Sequence, residues 1–248
     1  MLLLLLLSIN FNAQQHSKFT EVLKVVVKNG LVNYKLLRNN NVFNEYLSQL
    51  SETNPDTLNE KGKLAFWINA YNAFTLEIIV ENYPVESILD LHTGGKIIGY
   101  LLGKTVWDKE FISINSKIYS LNQIEHDILR KMNEPRIHFA IVCASISCPE
   151  LLNEAYEAYK IDSQLQLQAI EFINDKSKNM FNPQNRKAEV SKIFDWFSED
   201  FGDSDEEIIK YISQFLDSRL QSDINENLFE WNLSFMKYDW GINEINNK

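Results

Sequence analysis

The segment from Arg136 to Pro149 reads RIHFAIVCASISCP and carries both cysteines of the chain, Cys143 and Cys148, with His138, Ser145 and Ser147 beside them. A thiolate is a nucleophile and a metal ligand, whereas a buried thiol is inert. Three fates are open to this pair. The thiols can close a small disulfide loop, which stabilises modestly because a short loop removes little chain entropy. One can be a nucleophile while the other is structural. Both can simply fill the core. The pattern predicts a buried strand over Ile137–Val142, then a polar turn, then a helix opening at Pro149. A helix N-terminus there would favour a thiolate. That argument leans toward Cys148, while the strand-to-turn position leans toward Cys143 for exposure. Cys143 is the favoured nucleophile and Cys148 is kept beside it.

A nucleophilic thiol needs a base, and the base needs a partner that orients it. His16 adjoins the N-terminal apolar run and His92 lies in a loop, so His126 and His138 are the candidates. His126 follows Glu125 on a helix opened by a Ser120–Gln123 capping box. Neighbours on a helix point about 100° apart, so Glu125 suits a backbone N–H or a substrate amine better than His126. His138 is five residues before Cys143, and a regular strand would put them on opposite faces. Asn69 and Asn72 sit three apart in an apolar helix, where an unpaired amide costs roughly 1–3 kcal/mol. They either hold the turn at Cys143, orient His126, or tie the helix to a loop. Ser145 and Ser147 suit an oxyanion or a helix cap. His126, His138, Cys143 and Cys148 offer the ligands zinc prefers, but their spacing matches no zinc pattern. No metal and no cofactor is expected.

Around this stretch the apolar periodicity predicts helices over Ser17–Asn29, ended by Gly30, and over Val42–Leu50. A long helix over Glu60–Glu81 is apolar all round, which marks a core helix. Four glycines between Gly94 and Gly103 mark a turn region. A hairpin is expected within Thr105–Tyr119 around Asn115–Ser116. Asp162 is expected to cap a helix running to Asn174. A strand at Ala188–Ile193, an amphipathic helix at Asp205–Leu216 and a last strand at Leu233–Tyr238 complete the pattern. The class is α+β: one domain with a small mixed or antiparallel sheet against a buried central helix, preceded by N-terminal helices.

The 248 residues carry a net charge of −10, with no basic run, which argues against nucleic acid as partner. The opening MLLLLLL resembles the core of a secretory signal, with Ala13 near a plausible cleavage point. It falls far short of the roughly 20 apolar residues of a spanning helix. The expected division is a signal over 1–14, a helical segment over 15–55 and an α+β domain over 56–245, secreted or held in the periplasm or envelope.

The stretches AFWINAYNAFTL, SLNQIEHDILR and PRIHFAIVCASISCPEL resemble uncharacterised domain family 547. VSKIFDWFSEDF and the tail YDWGIN, with Gly241 where relatives often carry Ser, resemble it too. The resemblance implies a domain of secreted or envelope proteins and elsewhere, and a thiol-dependent site related to cysteine hydrolases. The resulting expectation is a papain- or transglutaminase-like enzyme acting on a peptide, amide or ester. Cys143 would attack, His126 or His138 would move the proton, and Glu125 would assist. Asn69, Asn72, Ser145, Ser147 and Cys148 would support the site. The competing expectation is a non-enzymatic envelope binding domain with Cys143 and Cys148 oxidised.

Overall fold

In the computed structural model, residues 16–94 and 105–245 are described. The expected signal over 1–14 and most of the glycine-marked turn lie outside them. The architecture is α+β, built from short sheets and a predominance of helix. The chain divides into two units, residues 1–164 with 240–248, and residues 165–239.

The first unit is organised on helix α3 (Glu60–Asn82), after α1 (Ser17–Val26) and α2 (Asn41–Glu52). Asn59 caps α3 by accepting from Gly62 N–H at 2.8 Å. Leu64 to Leu76 is buried without a break, so α3 is wrapped on all sides, as its all-round apolar pattern requires. Helix α1 ends at Val26, earlier than expected. The chain turns through Asn29 and Gly30, both at positive φ, into the hairpin β1 (Val27–Lys28) and β2 (Leu31–Val32). A second hairpin joins β3 (Ile112–Ile114) to β4 (Lys117–Tyr119) through Asn115 and Ser116, also at positive φ. Here the expected turn and the observed one coincide.

The Ser120–Gln123 capping box is present in both directions, at 2.8 and 3.1 Å. The helix that follows is a π-helical segment, Gln123–Leu129, wider than an α-helix. Two expectations fail at the cysteine stretch. The strand over Ile137–Val142 is instead a 3-10 helix, Pro135–Phe139, followed by irregular chain. Pro135 starts that turn and the Glu134 side chain accepts from Arg136 N–H at 3.2 Å. A short apolar run is compatible with either state, and among the described residues no strand pairs with it. No helix opens at Pro149 either; the chain stays irregular up to helix α4 (Ile161–Asn174). Asp162 lies inside the first turn of α4 rather than capping it, and pairs with Lys61 and Arg136. No described helix is long and apolar enough to cross a membrane.

The second unit holds a three-stranded sheet in the order β5 (Met180–Asn182), β6 (Lys187–Val190), β7 (Asn232–Phe235). β5 and β6 are antiparallel, whereas β6 and β7 are parallel. The parallel step needs a crossover, and it carries α5 (Asp205–Ser213) and α6 (Ser218–Glu226). Ser204 and Asp217 cap these helices, accepting from Glu207 N–H and from Arg219 and Leu220 N–H. Ala188, Val190, Phe194, Ile208, Ile209 and Ile212 bury the inner faces.

Candidate functional site

Cys143 and Cys148 are bonded to each other. The loop between them is polar at its centre. Cys143 N–H donates to Cys148 Sγ at 3.0 Å, and Ser145 Oγ lies 3.3 Å from each sulfur. Cys148 is buried at 4 % exposure, and Cys143 is half-buried. Ser145 is buried, Ser147 is half-buried and Ile146 stands in solvent between them. Ala144 holds a left-handed conformation at φ 62, which bends the loop back on itself. Because no helix follows, helix-dipole stabilisation of a sulfur is absent here, and neither serine is a helix cap. Hydrogen-bond donors local to the loop take that place.

Three neighbours hold the loop. The first is Asn72 on α3. Its Nδ2 donates to Ala140 C=O and its Oδ1 accepts from Val142 N–H, each at 2.9 Å. One buried amide therefore does for residues 140–142 what an adjacent strand would do. The second is the C-terminal stretch. Ile146 N–H donates to Gly241 C=O at 2.8 Å, and Asn243 N–H donates to Ala144 C=O at 3.1 Å. The third is the Asn29–Gly30 turn, where Gly30 bridges Leu151 just after the loop. A methyl group on Gly30 would sit 2.6 Å from Glu150 Cβ, so only glycine fits this approach.

Asn69 works differently from the expected site role. It grips Tyr156 through both backbone groups, N–H and C=O, at 2.9 Å each. It thus ties α3 to the chain beyond the cysteines. Gln164 on α4 continues the pattern by accepting from Glu157 N–H and donating to Ala155 C=O, each at 2.9 Å.

The ionisable candidates occupy the flanking segments. Glu125 is buried on the π-helical segment and accepts from Tyr71 Oη of α3 at 3.1 Å. His126 Nδ1 lies 3.1 Å from Arg130 Nη1. A guanidinium only donates, so Nδ1 accepts and a neutral His126 carries its proton on Nε2. His138 is buried in the 3-10 helix leading to Ala140. The opposite-face argument against pairing His138 with Cys143 lapses, because the intervening residues are not a strand.

The structure therefore brings Cys143, Ser145, Cys148 and Asn72 into one assembly. It places Asn69 at Tyr156 and links Glu125 to Tyr71. The C-terminal stretch Gly241–Asn243 was missed as a structural partner of the loop; its only signal was the family resemblance of the YDWGIN tail. An aromatic group flanks that stretch. Trp240 lies 5.8 Å from Trp107, whose ring meets His92 at 5.3 Å. His92 Nδ1 accepts from Val106 N–H at 3.3 Å, and burial holds this imidazole below its ordinary pKa against the nearby Asp108.

The family model described as protein of unknown function, DUF547, matches residues 55–173. Over this segment, just under half of its length, the chain is similar to that family. The matched residues include α3 with both asparagines, the π-helical segment and the whole cysteine loop. The motifs beginning at Val190 and Tyr238 lie beyond it. No curated protein and no solved structure matches the chain.

Proposed function

We propose that the protein is a thiol-dependent hydrolase or acyl-transfer enzyme acting on an amide or ester, with Cys143 as nucleophile in the reduced state. One observation carries this reading: the half-buried Cys143 sulfur stands 3.3 Å from the Ser145 hydroxyl, in a polar loop beside Cys148. A hydroxyl that donates to a sulfur favours its charged form. Cys143 would attack the carbonyl, and His138 would take the thiol proton and return it to the leaving group. His138 is named ahead of His126 because the Nδ1 of His126, its unprotonated nitrogen when neutral, already accepts from Arg130 Nη1. The backbone N–H groups of the Ala144–Ser147 turn are the candidate oxyanion donors, apart from that of Ile146, which donates to Gly241 C=O. The leader-like N-terminus and the paired cysteines support a secreted, periplasmic or envelope location.

A second reading is favoured by the bonded sulfurs themselves: a non-enzymatic envelope domain that binds a partner, with Cys143–Cys148 as a structural pair. One experiment separates the two. The full chain, oxidised or reduced, is given a nitrophenyl ester and, separately, iodoacetamide. The enzyme reading expects reduced protein alone to release nitrophenol and to alkylate at Cys143 faster than a free thiol, with both effects lost in Cys143→Ser. It further expects His138→Ala to slow ester cleavage more than His126→Ala. No turnover in either state, with alkylation at the rate of a free thiol, would establish the structural pair instead.

A further inference from the structure

The geometry points to Cys143 as a site of reversible S-thiolation by small thiols, with Cys148 as the departing sulfur. This stands on the bonded pair and its hydrogen bonds, independently of any acyl chemistry. Exchange requires an entering thiolate to reach one sulfur in line with the bond it breaks. Cys148 is walled in at 4 % exposure, so the half-buried Cys143 is the sulfur an incoming thiol meets.

The leaving side is prepared as well. When the bond opens at Cys143, the electron pair remains on Cys148 Sγ. That sulfur already accepts from Cys143 N–H at 3.0 Å and from Ser145 Oγ at 3.3 Å. A thiol whose charged form is stabilised leaves faster. The loop also keeps its shape once the bond is open. Asn72 holds Val142, Gly241 holds Ile146, and Cys148 N–H donates to Ser145 C=O at 3.2 Å. The donors therefore stay aimed at Cys148.

The steps balance. A thiolate RS− bonds to Cys143 Sγ, the Cys143–Cys148 bond breaks, and Cys148 becomes the thiolate. A second RS− attacks the mixed disulfide, RSSR departs, and Cys143 is left as the thiolate. Two molecules of RSH are oxidised and one protein disulfide is reduced. The consequence is directional: the mixed disulfide forms on Cys143 and not on Cys148.

Glutathione is the probe. Oxidised full-length protein is exposed briefly, quenched with acid, and digested for mass mapping. The expected adduct is on Cys143. With oxidised glutathione, Cys148→Ser accumulates the Cys143 adduct, whereas Cys143→Ser reacts about tenfold more slowly at its buried sulfur. Ser145→Ala slows opening of the native disulfide about fivefold, the effect of one hydrogen bond. A measurement free of Ser145 guards against misfolding: the thiolate ultraviolet absorbance of Cys143→Ser, followed against pH, should show Cys148 ionising below about 8.5, the ordinary thiol value. An adduct found first on Cys148, or a Cys148 that ionises at or above that value, overturns the assignment. No ester turnover enters these readouts, so failure of the hydrolase reading leaves them intact.

Discussion

Residues 140–157 and the sheet β5–β6–β7 bury backbone in two different ways. The sheet satisfies its peptide groups through its own ladder, Met180↔Glu189 through Asn182↔Lys187 and Lys187↔Asn232 through Val190↔Phe235. The cysteine region has almost no regular structure, yet Ile141, Val142, Ala144, Leu151, Ala155 and Tyr156 are all buried. Buried peptide groups must be paired wherever they sit. In this region side-chain amides from helices supply many of the partners: Asn72, Asn69 and Gln164. The lesson is a trade. A ladder tolerates many side chains but forces an extended backbone. Amide clamps free the backbone to bend around two sulfurs, at the cost of depending on a few irreplaceable residues.

That contrast is easiest to break at Asn72. Asn72→Ala strands Ala140 C=O and Val142 N–H, and should cost about 2–4 kcal/mol in urea unfolding. A solvent-face change on the sheet, Glu189→Thr, should stay within about 0.5 kcal/mol. Comparable losses from the two would refute the distinction.

The next largest effect belongs to Gly30, whose turn presses on the chain after the cysteines. Gly30→Ala meets Glu150 Cβ at 2.6 Å and keeps an unfavourable φ of 71. A loss of about 2 kcal/mol is expected by the same measurement.

The clamped region also carries a pH signature. Burial raises the Glu157 carboxyl from 4.5 to about 7; Glu154 reinforces the shift and Lys160 opposes it. Glu157 Oε2 has no hydrogen-bond partner. The folded chain therefore holds this proton more tightly than the unfolded one. The contribution is full below pH 4.5 and is lost as pH rises through about 7. Burial lowers His16 from 6.5 to about 4, so stability is lost there as pH falls across that range. The two slopes oppose each other between pH 4.5 and 6.5. Glu157→Gln should leave the rise due to His16 exposed and should stabilise the protein by about 1–2 kcal/mol at mildly alkaline pH. Unfolding midpoints measured across pH check both signs, and an unchanged profile would count against the buried acid.

The smallest effect sharpens the account of the loop itself. Ala144 adopts the left-handed region at φ 62, which costs an L-residue roughly 1–2 kcal/mol. Ala144→Gly should relieve part of this and raise stability by about 0.5 kcal/mol, net of the added freedom of the unfolded chain. A loss in thermal unfolding would mean that the Ala144 methyl packing outweighs the strain.

Much of the frame was legible from local rules. The long wrapped helix, the Asn115–Ser116 hairpin and the Ser120–Gln123 box each rest on neighbours a few residues apart. The cysteine stretch was misread for the opposite reason. FAIV satisfies strand periodicity, and Pro149 satisfies a helix start, but the partners that decide the matter lie far along the chain. Val142 N–H bonds to an amide seventy positions away, and Ala144 C=O accepts from Asn243. The two asparagines were singled out correctly as buried amides needing partners, and Asn72 does hold the chain beside Cys143. Asn69 could not be told from Asn72, because a shared helix face does not say which strand of chain lies opposite.

The residue order alone determined which groups are present and how each short segment prefers to turn. Apolar spacing set α3, and the Asn115–Ser116 pair set the β3–β4 hairpin, because these choices are made within a few peptide units. Only the tertiary structure decided that Cys143 and Cys148 meet, that one sulfur is sheltered and the other half-open, and that amides rather than a ladder hold their loop. Those outcomes depend on which buried donor finds which buried acceptor, and that pairing is settled by packing between segments far apart in the chain.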